Sequence, residues 1–282
     1  MKLAMAVGLF VFEFPATKFL AEMKLNWKLL GYYLIPAFLY CLYNNLAFVN
    51  LQHYDPASYF LLLNFRTVAT GVIFQILFDK KLSLRQWLAM TVLTVGCIVK
   101  QVNLDAWDKL SIRLDMYLVL ILVQVFCSCF AGVYNEYLLK DKGVNTHIMI
   151  QNTCMYLDSI AMNFGFMFFA GTLTKAVTPE AIASVLKLSV LSIAVNNSLA
   201  GIVTSVFLKK FNSILKTFAG AIELLLTAVL SSLLFGTKID MSMSLSICFV
   251  SFAMYLYSTQ PVINKPKLTV EAKQTPVIGQ DV

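Results

Sequence analysis

The chain has 282 residues, of which 59% are hydrophobic and only 13% charged, with a net charge of +7 and a mean hydropathy of +0.75. Soluble domains carry about 25% charged residues, so this composition excludes a water-exposed globular surface and makes the bilayer the solvent. The positive charge would suit nucleic acid, but in a membrane protein Lys and Arg collect on the cytosolic side, and their positions decide between the two.

In chain order, apolar segments lie at 1–15, 29–49, 57–78, 83–101, 114–139, 148–171, 186–207, 213–235 and 241–259. Stretches of about 20 apolar residues match the thickness of a bilayer, and the short polar connections between them predict a tight all-α bundle. The first segment, MKLAMAVGLFVFEFPAT, reads either as a signal peptide or as a helix that has lost its start. Cleavage would leave the lysine-rich loop 16–28 on the lumenal side, so the second reading is preferred. The stretch 260–282 holds Pro261, Pro266 and Pro276 with several charges and no apolar run, which predicts a disordered cytosolic tail.

With loop 16–28 placed in the cytosol and sides alternating after it, the cytosolic stretches hold 13 Lys and Arg and the opposite side 6. That asymmetry predicts a cytosolic C-terminus and argues against a nucleic-acid partner. Cys41, Cys97, Cys127, Cys129, Cys154 and Cys248 all fall in apolar runs without a ligand spacing, and His53 and His147 sit alone in polar loops. They read as helix-packing and loop residues. No motif calls for a metal, a cofactor or an enzymatic step.

Two pairs of strings recur at nearly one spacing. Asn44-Asn45 and Asn196-Asn197 are 152 residues apart, and Arg66-Thr67-Val68-Ala69 and Lys216-Thr217-Phe218-Ala219 are 150 apart. They suggest a duplication with first repeat 1–101 and second repeat 114–259, within one transmembrane domain over 1–259. The unit contains five helices, an odd number, so its copies would cross the bilayer in opposite directions with a site where the halves meet. Two units make ten helices; nine are visible, and the missing one would be the first. Asn196-Asn197-Ser198 is formally a glycosylation sequon, but it lies inside a membrane segment and is discounted.

Arg66 lies roughly nine residues from either polar boundary of its segment, too deep to snorkel easily. A charge at such depth costs about 3 kcal/mol, so it must face a cavity or a partner. Lys216, about one and a half turns past Lys209-Lys210, is a second cation inside an apolar segment, at a depth from which a lysine could still reach water. Sharing a cavity, they would suit a phosphorylated solute, the arginine as a fork and the lysine as a point charge; the alternative is an ion pair with Glu136, Asp158 or Glu223. Tyr40 and Asn44 stand at i, i+4 on one helix face, where ring and amide would hold a nucleobase or bond between helices.

The strings LYCLYNNLAFVNLQHYDPASY, KKLSLRQW, FAGVYNEYLLK, IQNTCMYL and NNSLAGIVTSVFLKKFNSILKTFAGA resemble the nucleotide-sugar transporter family, in its UDP-galactose, UDP-N-acetylglucosamine and CMP-sialic acid branch. The resemblance spans about 36–258. It implies a drug/metabolite-transporter fold of inverted five-helix repeats in the Golgi membrane, exchanging nucleotide sugar for nucleoside monophosphate. It further implies that Tyr40, Tyr43, Asn44 and Tyr59 contact base and ribose, Arg66 and Lys216 the phosphates, and Asn196, Asn197 and Ser205 the cavity lining. Asn64 joins this substrate-binding set. The family pattern has Gln at the place of Tyr43 and Tyr-Gln-Leu-Lys at Leu63-Asn64-Phe65-Arg66. The expected partners are therefore a nucleotide sugar, a nucleoside monophosphate and the lipid bilayer, with UDP-galactose as first choice. The alternative is a Golgi membrane scaffold for glycosyltransferases or other carriers, and a homo-oligomer or a glycosyltransferase complex is compatible with either.

Overall fold

The computed structural model describes residues 1–54, 56–101, 116–176, 178–235, 241–259 and 263–264. Each of the nine apolar segments falls on helix. Helix α1 (Lys2–Glu13) meets α2 (Ala16–Leu25) at a bend of 116°. The cause is local: Pro15 holds Phe14 in an extended conformation, φ −137° and ψ 154°, which ends α1. Helix α3 (Lys28–His53) runs unbroken through Pro36.

The third segment, expected as one span, is two helices, α4 (Pro56–Leu63) and α5 (Arg66–Phe78), separated at Asn64 and Phe65. Helices α6 (Leu84–Gln101), α7 (Met116–Tyr137) and α8 (Ile148–Phe169) follow, with a π-helical turn over Leu138–Lys142 after α7. Two short helices, α9 (Leu173–Ala176) and α10 (Pro179–Val185), lead to α11 (Leu188–Lys210), α12 (Ser213–Phe235) and α13 (Met241–Ser258). The turn between α11 and α12 is tight, and the Asn212 side chain accepts from Leu215 N–H at 2.8 Å to cap α12.

Among the described residues five helices are long and apolar enough to cross a membrane: Lys28–His53, Met116–Lys142, Leu188–Lys210, Ser213–Leu234 and Met241–Ser258. Helices α5 and α6 are shorter apolar helices. Phe12, Phe48, Phe168 and Phe252 project outward in the exposed state, a surface that only lipid would cover without cost. Together these features make the chain an all-α polytopic membrane protein.

The interior cluster draws on α4 to α7, α12 and α13, through Tyr59, Phe74, Met90, Ile121, Phe218 and Val250 among others. Helices α6 and α13 approach closely at Gly96, whose carbonyl accepts the Ser246 hydroxyl at 2.7 Å. Between helices in lipid, dispersion contacts and polar bonds of this kind replace the hydrophobic effect as the source of association. The expected tail at 260–282 lies outside the described residues apart from Ile263 and Asn264, which pair antiparallel with Lys81 and Lys80.

Candidate functional site

Among the described residues, two adjoining cavities with polar linings open between the helices. The smaller, about 500 Å³, is lined by Arg66 and Thr70 of α5, by Ser128, Cys129 and Gly132 of α7, and by Ser213, Lys216 and Glu223 of α12. The larger, about 830 Å³, is lined by Tyr43 and Asn44 of α3, Asn135 of α7, Asn152, Tyr156, Ser159 and Asn163 of α8, and Ser205 of α11. Tyr40, Thr204 and Lys216 belong to both linings, so the spaces adjoin at the lysine. Both volumes fall in the range of sites for small organic ligands.

Arg66 and Lys216 therefore face one space from two helices far apart in the chain. Among the described residues neither forms an ion pair. Of the three acids considered as partners, Glu136 is engaged elsewhere: it bonds to Lys140 at 2.7 Å and accepts the backbone N–H and hydroxyl of Ser213 at 2.6 Å each. Asp158 is buried with one carboxylate oxygen unpartnered. Glu223 shares the smaller cavity with both cations without pairing to either. Two unpaired cations in a space walled by apolar helices repel each other, and an anion between them relieves that repulsion. The guanidinium is aimed by its backbone as well, since the Cys129 thiol donates to the Arg66 carbonyl at 3.2 Å and ties the first turn of α5 to α7.

The structure brings Tyr40, Tyr43, Asn44, Arg66, Ser205 and Lys216 to the cavity walls. Ser205 sits with its hydroxyl donating to the Gly201 carbonyl at 3.1 Å. Four other residues singled out from the sequence stand apart from both linings. Tyr59 is 2% exposed, and its hydroxyl accepts from Gln124 at 2.7 Å. Asn64 occupies the break between α4 and α5, with its amide nitrogen buried and unpartnered. Asn196 and Asn197 are exposed on α11, one turn before the lining residues Ala200 and Gly201. They share the face of the lining but lie past its edge.

Helix α8 supplies what the sequence reading passed over. Asn152, Tyr156, Ser159 and Asn163 all line the larger cavity, and their spacing of four, three and four places them on one helical face. The amide nitrogen of Asn152 and the hydroxyl of Tyr156 are buried without a partner, an arrangement that leaves both free for a ligand. The spacing of these four polar residues on one face was the available signal.

Comparison with known proteins identifies relatives that match most of the chain. A family profile described as Nucleotide-sugar transporter matches residues 11–258. The chain is 47% identical over 280 residues to a protein of Drosophila melanogaster named UDP-galactose transporter senju, an alignment covering 88% of this chain and 72% of that one. It is 28% identical over 255 residues to CMP-sialic acid transporter 1 of Oryza sativa subsp. japonica, with 87% and 78% covered. A solved crystal structure matches with a TM-score of 0.53 at 10% identity, covering 80% of this chain and 88% of its own, a likeness of fold alone.

Proposed function

The chain belongs to the nucleotide-sugar transporter family, and from that premise we propose that it carries UDP-galactose into the Golgi lumen in exchange for UMP by alternating access. The observation that carries this reading is the shared cavity of Arg66 and Lys216, two cations without a carboxylate partner among the described residues. UDP-galactose bears two phosphates and UMP one, so both ligands supply the missing negative charge. Guanidinium and ammonium groups match phosphate oxygens as fork and point charge.

The choice of sugar rests on the 47% identity to a protein named as a UDP-galactose transporter. The base and ribose belong in the larger cavity, where Tyr40 offers a ring and Asn44, Asn135 and Asn152 offer amides. Lys216 at the junction and Arg66 in the smaller cavity then hold the phosphates, and the sugar lies in the remainder of the smaller cavity among the hydroxyls of Thr70, Ser128 and Thr204.

A cytosolic C-terminus is supported by the excess of Lys and Arg on the loops assigned to that side. It is also supported by the pairing of Ile263 and Asn264 with Lys81 and Lys80, which puts the end of α13 beside the basic loop after α5. The test is uptake of labelled UDP-galactose into proteoliposomes loaded with UMP. Internal UMP is expected to stimulate uptake, with uridine nucleotides competing better than cytidine or guanosine nucleotides. Uptake indifferent to internal UMP would end the reading.

A further inference from the structure

Among the described residues, the bonds that fasten the two ends of the bundle differ in chemistry. Where α3 begins and α7 finishes, charged groups take part: Glu136 holds Lys140 and Ser213, and the Lys209 ammonium donates to the Thr146 carbonyl at 3.3 Å. Gln151 adds bonds there, accepting the Tyr33 hydroxyl at 2.8 Å and donating to the Gly143 carbonyl at 2.7 Å.

At the other end α3, α4 and α7 meet in an uncharged cluster centred on Gln124. Its carbonyl oxygen accepts from the Asn50 amide at 2.8 Å, and its nitrogen donates to the Tyr59 hydroxyl at 2.7 Å and the Tyr43 carbonyl at 3.3 Å. Asn50 and Gln124 have no exposed surface. Beyond them the His53 ring stacks on Tyr117 at 3.6 Å, continuing the contact between α3 and α7.

We propose that Gln124 is a gating residue, and that the Asn50, Gln124 and Tyr59 cluster is the closure that must open for solute to pass this end of the cavities. The inference rests on the reading that the cavities carry a solute.

Position argues for it. On α7 the cavity-lining residues begin at Ser128, and Gln124 lies one turn, about 6 Å, past them. On α3 they end at Asn44, and Asn50 lies about 9 Å further along. The cluster thus sits just past the cavity wall, and Tyr43 belongs to both.

The local architecture suits movement. Helix α4 has eight residues and joins α5 through the break at Asn64 and Phe65. It can swing while the first turn of α5, which carries Arg66, stays tied to α7 through Cys129. The neutral amide and hydroxyl bonds of the cluster are individually weaker than charge-assisted bonds such as that of Glu136 to Lys140. One acceptor of the cluster is left over: Asn50 Oδ1 is buried without a partner and is free to take a new donor once the cluster parts.

Native cysteines report the opening. Cys41 lines the larger cavity and Cys129 the smaller, each 4% exposed, whereas Cys154 is 1% exposed and lines neither. Full-length protein in lipid nanodiscs is treated with a polar maleimide, and labelling at each cysteine is read by peptide mass spectrometry. Gln124→Ala removes three hydrogen bonds and is expected to speed labelling of Cys41 and Cys129 by at least about ten-fold, the factor that a single lost hydrogen bond commonly contributes. Cys154 is expected to keep its rate.

Asn50→Ala removes its bond to Gln124 from the other side and carries the test if Gln124→Ala does not fold. Exchanging the two residues, Asn50→Gln with Gln124→Asn, is expected to restore slow labelling in part. Wild-type rates at Cys41 and Cys129 in both single variants, or equal acceleration at Cys154, would overturn the gate. The labelling needs no nucleotide, so failure of the wild-type protein to exchange UMP would count against the transport reading alone.

Discussion

The Glu136 carboxylate accepts both the backbone N–H and the hydroxyl of Ser213, each at 2.6 Å. Ser213 opens α12 and lines the smaller cavity one turn before Lys216. An acid that the sequence offered as a partner for the lysine instead fixes where the lysine's helix begins. Glu136 is 1% exposed, while the Lys140 side chain bonded to it is 29% exposed, so the bond is part buried and part solvated.

Replacing Glu136 by alanine strands a buried N–H and hydroxyl and frees Lys140. The expected loss of stability is about 2–4 kcal/mol. Glu136→Gln is expected to lose less, because an amide oxygen still accepts from Ser213. Thermal unfolding of the detergent-solubilised protein checks the order, and an unchanged midpoint for Glu136→Ala would refute the role.

The cation pair predicts a loss that follows phosphate. Arg66→Ala and Lys216→Ala are each expected to weaken UMP binding about 10- to 100-fold, the usual range for a hydrogen bond to a charged group. Arg66→Lys should fall between alanine and wild type, since a point charge replaces a fork. Uridine, which lacks phosphate, serves as the control in equilibrium binding. If its affinity drops in the same proportion as that of UMP, the cations are not phosphate ligands.

That the apolar runs form helices was legible, because a long apolar run has few stable alternatives once its backbone must be bonded internally, although only five of those helices are long and apolar enough to cross a membrane among the described residues. Arg66 was legible too, as a charge in an otherwise apolar run. The break at Asn64 and Phe65 was not, for it contains neither proline nor glycine. Contacts distant in sequence accompany it: Tyr59 bonded to Gln124, Leu62 and Leu63 in the core, and the Arg66 carbonyl bonded to Cys129. The pairing of Asn44 with Asn196 by offset ignored how far each helix extends past the cavity, and the asparagine of α11 lies one turn too far along. Reading for charge and repeated strings likewise passed over the uncharged stripe of α8.

That difference separates two asparagines by experiment. Asn152 lines the larger cavity with its amide nitrogen unpartnered, whereas Asn196 is exposed outside both linings. Asn152→Ala is expected to weaken UMP binding about ten-fold, as one lost hydrogen bond to a ligand would. Asn196→Ala is expected to stay within about two-fold of wild type. The reverse order in a competition assay would restore the reading from the repeat and remove the one from the cavity.

The packing of α6 on α13 makes a prediction about stability that should leave binding alone. A Cβ built on Gly96 would lie 2.8 Å from the Phe249 Cβ and 3.5 Å from the Val250 backbone nitrogen, so a branched side chain must push the helices apart. Their separation would also stretch the bond from the Ser246 hydroxyl to the Gly96 carbonyl. Gly96→Val is expected to cost about 1–3 kcal/mol and Gly96→Ala less, measured as a lowered unfolding midpoint. Neither helix contributes to the cavity linings, so UMP affinity of the folded fraction should hold. A valine variant as stable as wild type would mean that α6 and α13 do not meet at this glycine.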